Sequence, residues 1–190
     1  MRKINQTYRD PVELIWLHAA SRMGMQIVRS AEVNASWDGK SELTIGTSET
    51  LDPDDSLAQM ILHEACHALC EGPQSLLKPD WGLESFNPAK KVREHACLRL
   101  QAAFADRYGL RSFFGSTTIF RRYYDRLPAD PLADDGDPAV TIAREAWTRA
   151  NSGPWAEPLD DALRRTSLVA RVLDGVADPD SLWHLPKAQT

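Results

Sequence analysis

In the stretch LAQMILHEACHALCEG, residues 57–72, two histidines stand four apart with a glutamate directly after the first. If the stretch is helical, His63 and His67 lie one turn apart on one face, about 5–6 Å between Cβ atoms. On a helical wheel His67 falls about 40° from His63, with Ser56 about 20° round on that side. Cys70 and Gln59 fall about 20° and about 40° to the other side. Ile61, Leu62, Ala65, Ala68 and Leu69 gather on the opposite face. The helix is thus apolar behind and carries both imidazoles in front, where they can converge on one ion at roughly 2.0–2.1 Å. Glu64 lies about 100° round the helix, so it flanks that ion and can accept a proton from an activated water.

The pattern is HExxH, which on a helix supplies two zinc ligands and a general base. A catalytic zinc takes three protein ligands and keeps one position open for water, so a third ligand is needed. A glycine and a further histidine shortly after His67 would provide it in one known arrangement, but the chain continues Ala-Leu-Cys-Glu-Gly-Pro. Glu94, 27 positions after His67, is the leading candidate. It lies in a helix predicted over 88–108 and shares a face with Cys97, Leu98, Gln101 and Ala105, with Val92, Leu100 and Ala103 behind. The competing reading of Glu94 is a solvated charge in the basic text AKKVREHACLRLQ. His95 is the next candidate, and Glu84 and Asp106 follow.

Other elements must position these residues. Asp10-Pro11 is an N-cap followed by proline at the first helical position, predicting a helix over 11–23 that ends at Gly24, with Leu14, Ile15, Leu17 and His18 on or near its packed side. Short β-like pieces follow at 25–29, 32–37 and 42–46, with a turn at Asp38-Gly39. Asp52-Pro53 predicts the start of the histidine helix, run to residue 71 and stopped by Gly72-Pro73. A loop covers 73–87, with Trp81 as its anchor, and Asn87-Pro88 starts the next helix. Residues 110–127 are aromatic and basic, and PADPLADDGDP at 128–138 reads as an acidic linker to helices over 139–150 and 159–174. The expected organisation is a catalytic domain over 1–127, a linker over 128–138 and a helical appendage over 139–190, all in the α+β class.

A net charge of −5 and a pI near 5.5 argue against a nucleic-acid partner. Arg121-Arg122 and the basic stretch around it read as a solvated face. Three cysteines are an odd number and make no disulfide framework. Cys70 shares the histidine face and Cys97 the Glu94 face, so these thiols are expected close together under the metal, either as a redox-sensitive pair, a sulfur ligand or simple packing; Cys66 reads as packing. His95, Tyr108, Tyr123 and Tyr124 are candidate donors to a developing oxyanion. His18 and His184 read as isolated. No signal-peptide pattern and no apolar run of membrane-spanning length is present, so a cytoplasmic protein without membrane partner is expected.

The order of a helix, short strands including ELTIG at 42–46, the HEACH helix and a glutamate-bearing helix with REHACLRLQAAFA at 93–105 resembles a gluzincin-type minimal metallopeptidase domain, most like the ImmA/IrrE-type proteins. The resemblance covers roughly residues 10–110. It implies a zincin-like fold, Zn²⁺ held by His63, His67 and Glu94, Glu64 as general base, and a protein or peptide substrate. It also implies that residues 42–46 present a sheet edge to the substrate. A weaker similarity to elongation factor P hydroxylase keeps Fe²⁺ as an alternative, because two histidines and one carboxylate also make the iron facial triad. The remaining alternative is a metal-stabilised regulatory module without turnover.

Overall fold

The computed structural model describes residues 5–83 and 90–185. They form six helices and a three-stranded mixed sheet, the expected α+β class. In chain order these are α1 (Pro11–Arg22), β1 (Gln26–Ser30), β2 (Ala35–Trp37), β3 (Glu42–Gly46), α2 (Leu57–Glu71), α3 (Lys90–Arg107), α4 (Arg121–Tyr124), α5 (Ala139–Ser152) and α6 (Ala156–Leu173). The predicted helix start at Asn87-Pro88 and the candidate ligand Glu84 lie outside the described residues.

Asp10 caps α1, its carboxylate accepting the Val12 and Glu13 N–H groups, with Pro11 in the first turn. The buried stripe is Val12, Trp16, Ala19 and Ala20; of the predicted residues, Ile15 and Leu17 pack half-buried against the core. Leu14 and His18 face outward. The indole of Trp16 sets the stripe: it is wholly buried, packs edge-on against Phe114, and donates Nε1–H to Thr166 Oγ1 in α6 at 3.0 Å.

The sheet order is β1-β3-β2, with β1 parallel and β2 antiparallel to β3. β3 is therefore the central strand, and residues 42–46 cannot be the open edge the resemblance implied: both their sides are hydrogen-bonded. Leu43 and Ile45 alternate into the core and are fully buried.

α2 begins four residues later than Asp52-Pro53 suggested. Ser56 is the N-cap, its Oγ accepting the Gln59 N–H at 3.2 Å, while Asp52 and Asp55 close a separate turn before it. The far end of α2 is held by arginines from two other helices. Arg93 of α3 and Arg149 of α5 donate to the Cys70 carbonyl, and Arg149 also to that of Leu69. Gly72, at φ +84°, ends the helix.

One hydrophobic cluster runs through α1, the sheet, α2, α3, α5 and α6. Residues 139–173 thus share a core with residues 11–107. Residues 128–138 are tied to α3 by Arg99, which is 2% exposed and donates to the Pro131 carbonyl at 2.8 Å, to Asp135 at 2.6 Å and to Tyr123 Oη at 2.6 Å. Among the described residues no helix is long and apolar enough to cross a membrane. Replacing Trp16 by Ala should lower stability by about 3–5 kcal/mol in urea denaturation, because the packed indole and its hydrogen bond are lost together.

Candidate metal centre

α2 and α3 pack face to face, which turns the front of the histidine helix toward Glu94 and Gln101. His63 Nε2 and His67 Nε2 stand 3.1 Å apart. The Glu94 carboxylate reaches both, Oε1 at 3.5 Å from His63 Nε2 and Oε2 at 3.4 Å from His67 Nε2.

The tautomer of His63 follows from its other nitrogen. Gln101 donates its Nε2–H to the Phe114 carbonyl at 2.7 Å, so its Oε1 must accept, and it accepts His63 Nδ1–H at 2.9 Å. That leaves a lone pair on His63 Nε2. Burial, then the neighbouring His63, drives the His67 pKa well below its ordinary 6.5, so its imidazole is neutral at pH 7. His67 Nδ1 is buried with no partner among the described residues. The His63 Nε2 lone pair, His67 Nε2 and a carboxylate thus crowd one point, and a shared proton or a cation relieves the crowding. Ligand atoms on a tetrahedral zinc at 2.0–2.1 Å are about 3.3 Å from one another, close to the separations here. The donor set fits a divalent cation.

Cys97 offers a second way to complete the set. Its Sγ and one ligand atom from each imidazole all lie within 4.8 Å of one another. Yet Sγ sits 3.6 Å from His63 Nδ1 and 3.4 Å from the His63 carbonyl oxygen, on the ring edge turned away from Glu94. A cation bound by Cys97 through that edge would have to displace Gln101 from Nδ1. Burial, then contact with Cys66, pushes the Cys97 thiol up in the metal-free protein. Geometry therefore favours Glu94 over Cys97. Cys97 contacts Cys66, Cys70 lies near enough to act on its thiol as well, and all three thiols are buried and free.

Glu64 stands beside the centre and is 8% exposed. Its Oε2 accepts the Trp81 indole N–H at 2.7 Å. Burial raises its pKa; His63 and the Trp81 hydrogen bond pull the other way. Trp81 is itself locked in place. Its ring stacks on Trp37 of β2 at 4.5 Å between centroids, and Trp37 Nε1–H binds the Leu76 carbonyl at 3.1 Å. Asp80 and Trp81 take φ of +47° and +58°, a left-handed turn that L-residues resist. The Asp80 carboxylate holds it by accepting Ser36 Oγ–H at 2.9 Å and the Trp37 N–H at 3.2 Å.

A cleft of about 250 Å³ opens over His63 and Glu64, bordered by Asn34 and Ala35 on one side and by residues 115–118 on the other. β2 is an edge strand here. Asn34 and Asp38 pair with β3, so the peptide groups of Ala35 and Trp37 turn outward. Asp80 occupies the Trp37 N–H, which leaves Ala35 as the open position beside the cleft. A second groove, between α2 and α5 near Leu69, Leu76 and Trp155, holds no acid, imidazole or thiol.

Comparison with protein-family models, curated proteins and solved structures gave no match. The geometry alone carries the reading.

Of the predicted residues, His63, Glu64, His67 and Glu94 come together. His95 does not join them: it stacks on Tyr123 at 3.5 Å between centroids and turns its Nδ1 toward Asp137, 3.7 Å away. Asp106 pairs with Arg111 at 3.3 Å. The three tyrosines proposed as oxyanion donors point elsewhere, Tyr108 to Asp160, Tyr123 to Asp137 and Tyr124 to the Arg111 carbonyl. Arg121 pairs with Asp125 at 2.9 Å. Sequence reasoning placed Gln101 on the right face without giving it a role; its position seven residues after Glu94 was the signal. It missed the cleft wall at 115–118, which carries no periodic pattern.

Glu94→Ala should weaken zinc binding by more than about 100-fold and Gln101→Ala by about 10–100-fold, whereas Cys97→Ser should stay within about threefold, read by competition with a chromogenic chelator. In the metal-free protein the His67 contribution to stability is complete above pH 6.5, the ordinary histidine value, and fades as pH falls below it toward the lowered folded value. The unfolded chain takes up that proton first. Glu64 acts in the opposite direction, because its raised pKa makes the folded state hold the extra proton. Guanidinium titrations of wild type and His67→Phe between pH 5 and 8 should therefore differ in slope below pH 6.5.

Proposed function

We propose that the protein is a zinc-dependent peptidase with a zincin-like catalytic arrangement. One observation carries this reading: both Nε2 atoms of the HExxH histidines and the Glu94 carboxylate converge within 3.1–3.5 Å of one another beside a buried, indole-held glutamate in a cleft. His63, His67 and Glu94 would hold Zn²⁺. Bound there, zinc supplies a Lewis acid that polarises a carbonyl and acidifies water.

The chain's own residues do the rest. Glu64 accepts the proton of the attacking water and delivers it to the leaving amine. The raised pKa of Glu64 makes its carboxylate a stronger base toward the water, while the resulting carboxylic acid stays more acidic than the ammonium it forms and so can pass the proton to the amine. Trp81 ties up Oε2 and fixes the carboxylate, which leaves Oε1 for the proton. Gln101 orients His63 through its Nδ1–H. The outward peptide group of Ala35 can accept one rung of β-pairing from an extended substrate, while Asp80 blocks the next rung at Trp37.

Protein purified without chelator or added metal should contain one zinc per chain and cleave peptides. Glu64→Gln should keep the zinc and the fold while losing about 10²–10⁴-fold in cleavage rate. Stoichiometric iron with oxygen uptake would replace this reading with the oxygenase one. Unchanged function in Glu64→Gln would reduce the centre to a structural metal site. Trp81→Phe should lower kcat by about tenfold with KM little changed, because a loosened carboxylate is misplaced for proton transfer.

A further inference from the structure

His63 turns its two ring nitrogens toward different surroundings. Nε2 faces His67 and the Glu94 carboxylate, whereas Nδ1 faces Gln101 and Cys97. The Cys97 sulfur stands 3.6 Å from Nδ1. A nitrogen and a thiolate sulfur on one tetrahedral ion, at about 2.1 and about 2.3 Å from it, are about 3.6 Å apart. The pair is therefore already spaced for a single cation. His67 completes the set, with one ligand atom from each of the three residues lying within 4.8 Å of the others. The cleft reaches this edge of the ring, because His63 and Gln101 both line it. Cys97 is wholly buried behind them, so a cation entering from the cleft meets the imidazole first and takes the thiol as its inner ligand.

Zinc has little to gain from this arrangement. Glu94 reaches the Nε2 side without disturbing Gln101, whereas Cys97 costs the hydrogen bond between Gln101 and Nδ1. A soft cation ranks the two ligands the other way, because thiolate sulfur binds it far better than carboxylate oxygen does.

We propose that His63 Nδ1, Cys97 and His67 form a second cation site, selective for a thiophilic ion such as Cu⁺ or Cd²⁺, and that filling it closes the zinc set. The incoming ion replaces the proton on Nδ1. That proton moves to Nε2 of the same ring, where the Glu94 carboxylate accepts it in a hydrogen bond. The Cys97 thiol gives its proton to solvent as the metal–sulfur bond forms. One cation is bound, one proton is released and no electron is transferred. Nε2 of His63 then carries a hydrogen and has no lone pair for zinc. One tautomer of the ring thus serves Glu94 and the other serves Cys97. The exclusion of zinc rests on the zinc-centre reading; the thiol site does not.

The test titrates metal-free, fully reduced full-length protein with Cd²⁺ in the absence of oxygen and follows the ultraviolet charge-transfer band of a cadmium–thiolate bond. The band should saturate at one equivalent, and X-ray absorption at the cadmium edge should find one sulfur in the first shell. Cys97→Ser should lose the band and bind Cd²⁺ about 100-fold more weakly or worse. Glu94→Ala should keep the band despite its weakened zinc binding. Zinc-loaded wild type given one equivalent of Cd²⁺ and desalted should hold cadmium and no zinc by elemental analysis. Circular dichroism melts check that each variant folds, with Cys97→Ala as the second variant. Cadmium bound without sulfur, a band that survives loss of Cys97, or zinc and cadmium held together on one chain overturns the proposal. An intact band in a protein that binds no zinc sinks the zinc centre and leaves the thiol site standing. Tight zinc binding with no cadmium–thiolate band does the reverse.

Discussion

The centre depends on a single side chain that bridges two helices. Gln101 gives its amide N–H to the Phe114 carbonyl and takes the Nδ1–H of His63. The first bond orients the amide, the second fixes the imidazole tautomer, and together they turn the Nε2 lone pair of His63 toward His67 and Glu94. Without that bridge, His63 could rotate or present a proton where a lone pair is needed. α2 and α3 are packed closely enough for the bridge because small residues meet between them. Cys66 and Cys97 touch across the seam, and both are fully buried, as is Ala105 on the same face of α3. Larger side chains at these positions would push apart the helices that carry His63, His67 and Glu94.

A second brace runs from the sheet to the acid. Trp37, on the edge strand, stacks on Trp81, and Trp81 holds Glu64. Asp80 pins the left-handed turn between them and covers part of the strand edge at the same time. One short segment therefore sets both the position of the Glu64 carboxylate and the length of strand edge left open beside the cleft. Backbone strain of this kind persists only where surrounding contacts over-determine it, and here three side-chain hydrogen bonds and a ring stack do so.

Much of the centre was legible because helical periodicity is a local property. His63, Glu64 and His67 follow from spacing alone, and Glu94 from its place on a second predicted helix 27 positions after His67. Boundaries were harder. Asp52-Pro53 has the composition of a helix start, but Ser56 makes the capping bond, and composition does not rank two caps four residues apart. Strand order was not legible, since residues 42–46 look equally good as edge or centre until their two partners are known. On α1, Ile15 and Leu17 were placed correctly near the core and Leu14 and His18 were not, because counting leucines ignored the larger area of Trp16. Tyrosine roles were decided by long-range partners such as Asp137 and Asp160, and nothing in local pattern encodes those pairings.

X-ray absorption at the zinc edge on the purified, zinc-loaded protein measures the central claim directly. The account predicts a first shell of nitrogen and oxygen scatterers at about 2.0–2.1 Å, with imidazole outer-shell features from two histidines and no sulfur. A sulfur scatterer at about 2.3 Å would assign the third position to Cys97 instead of Glu94, and a shell without imidazole signature would remove the metal centre altogether.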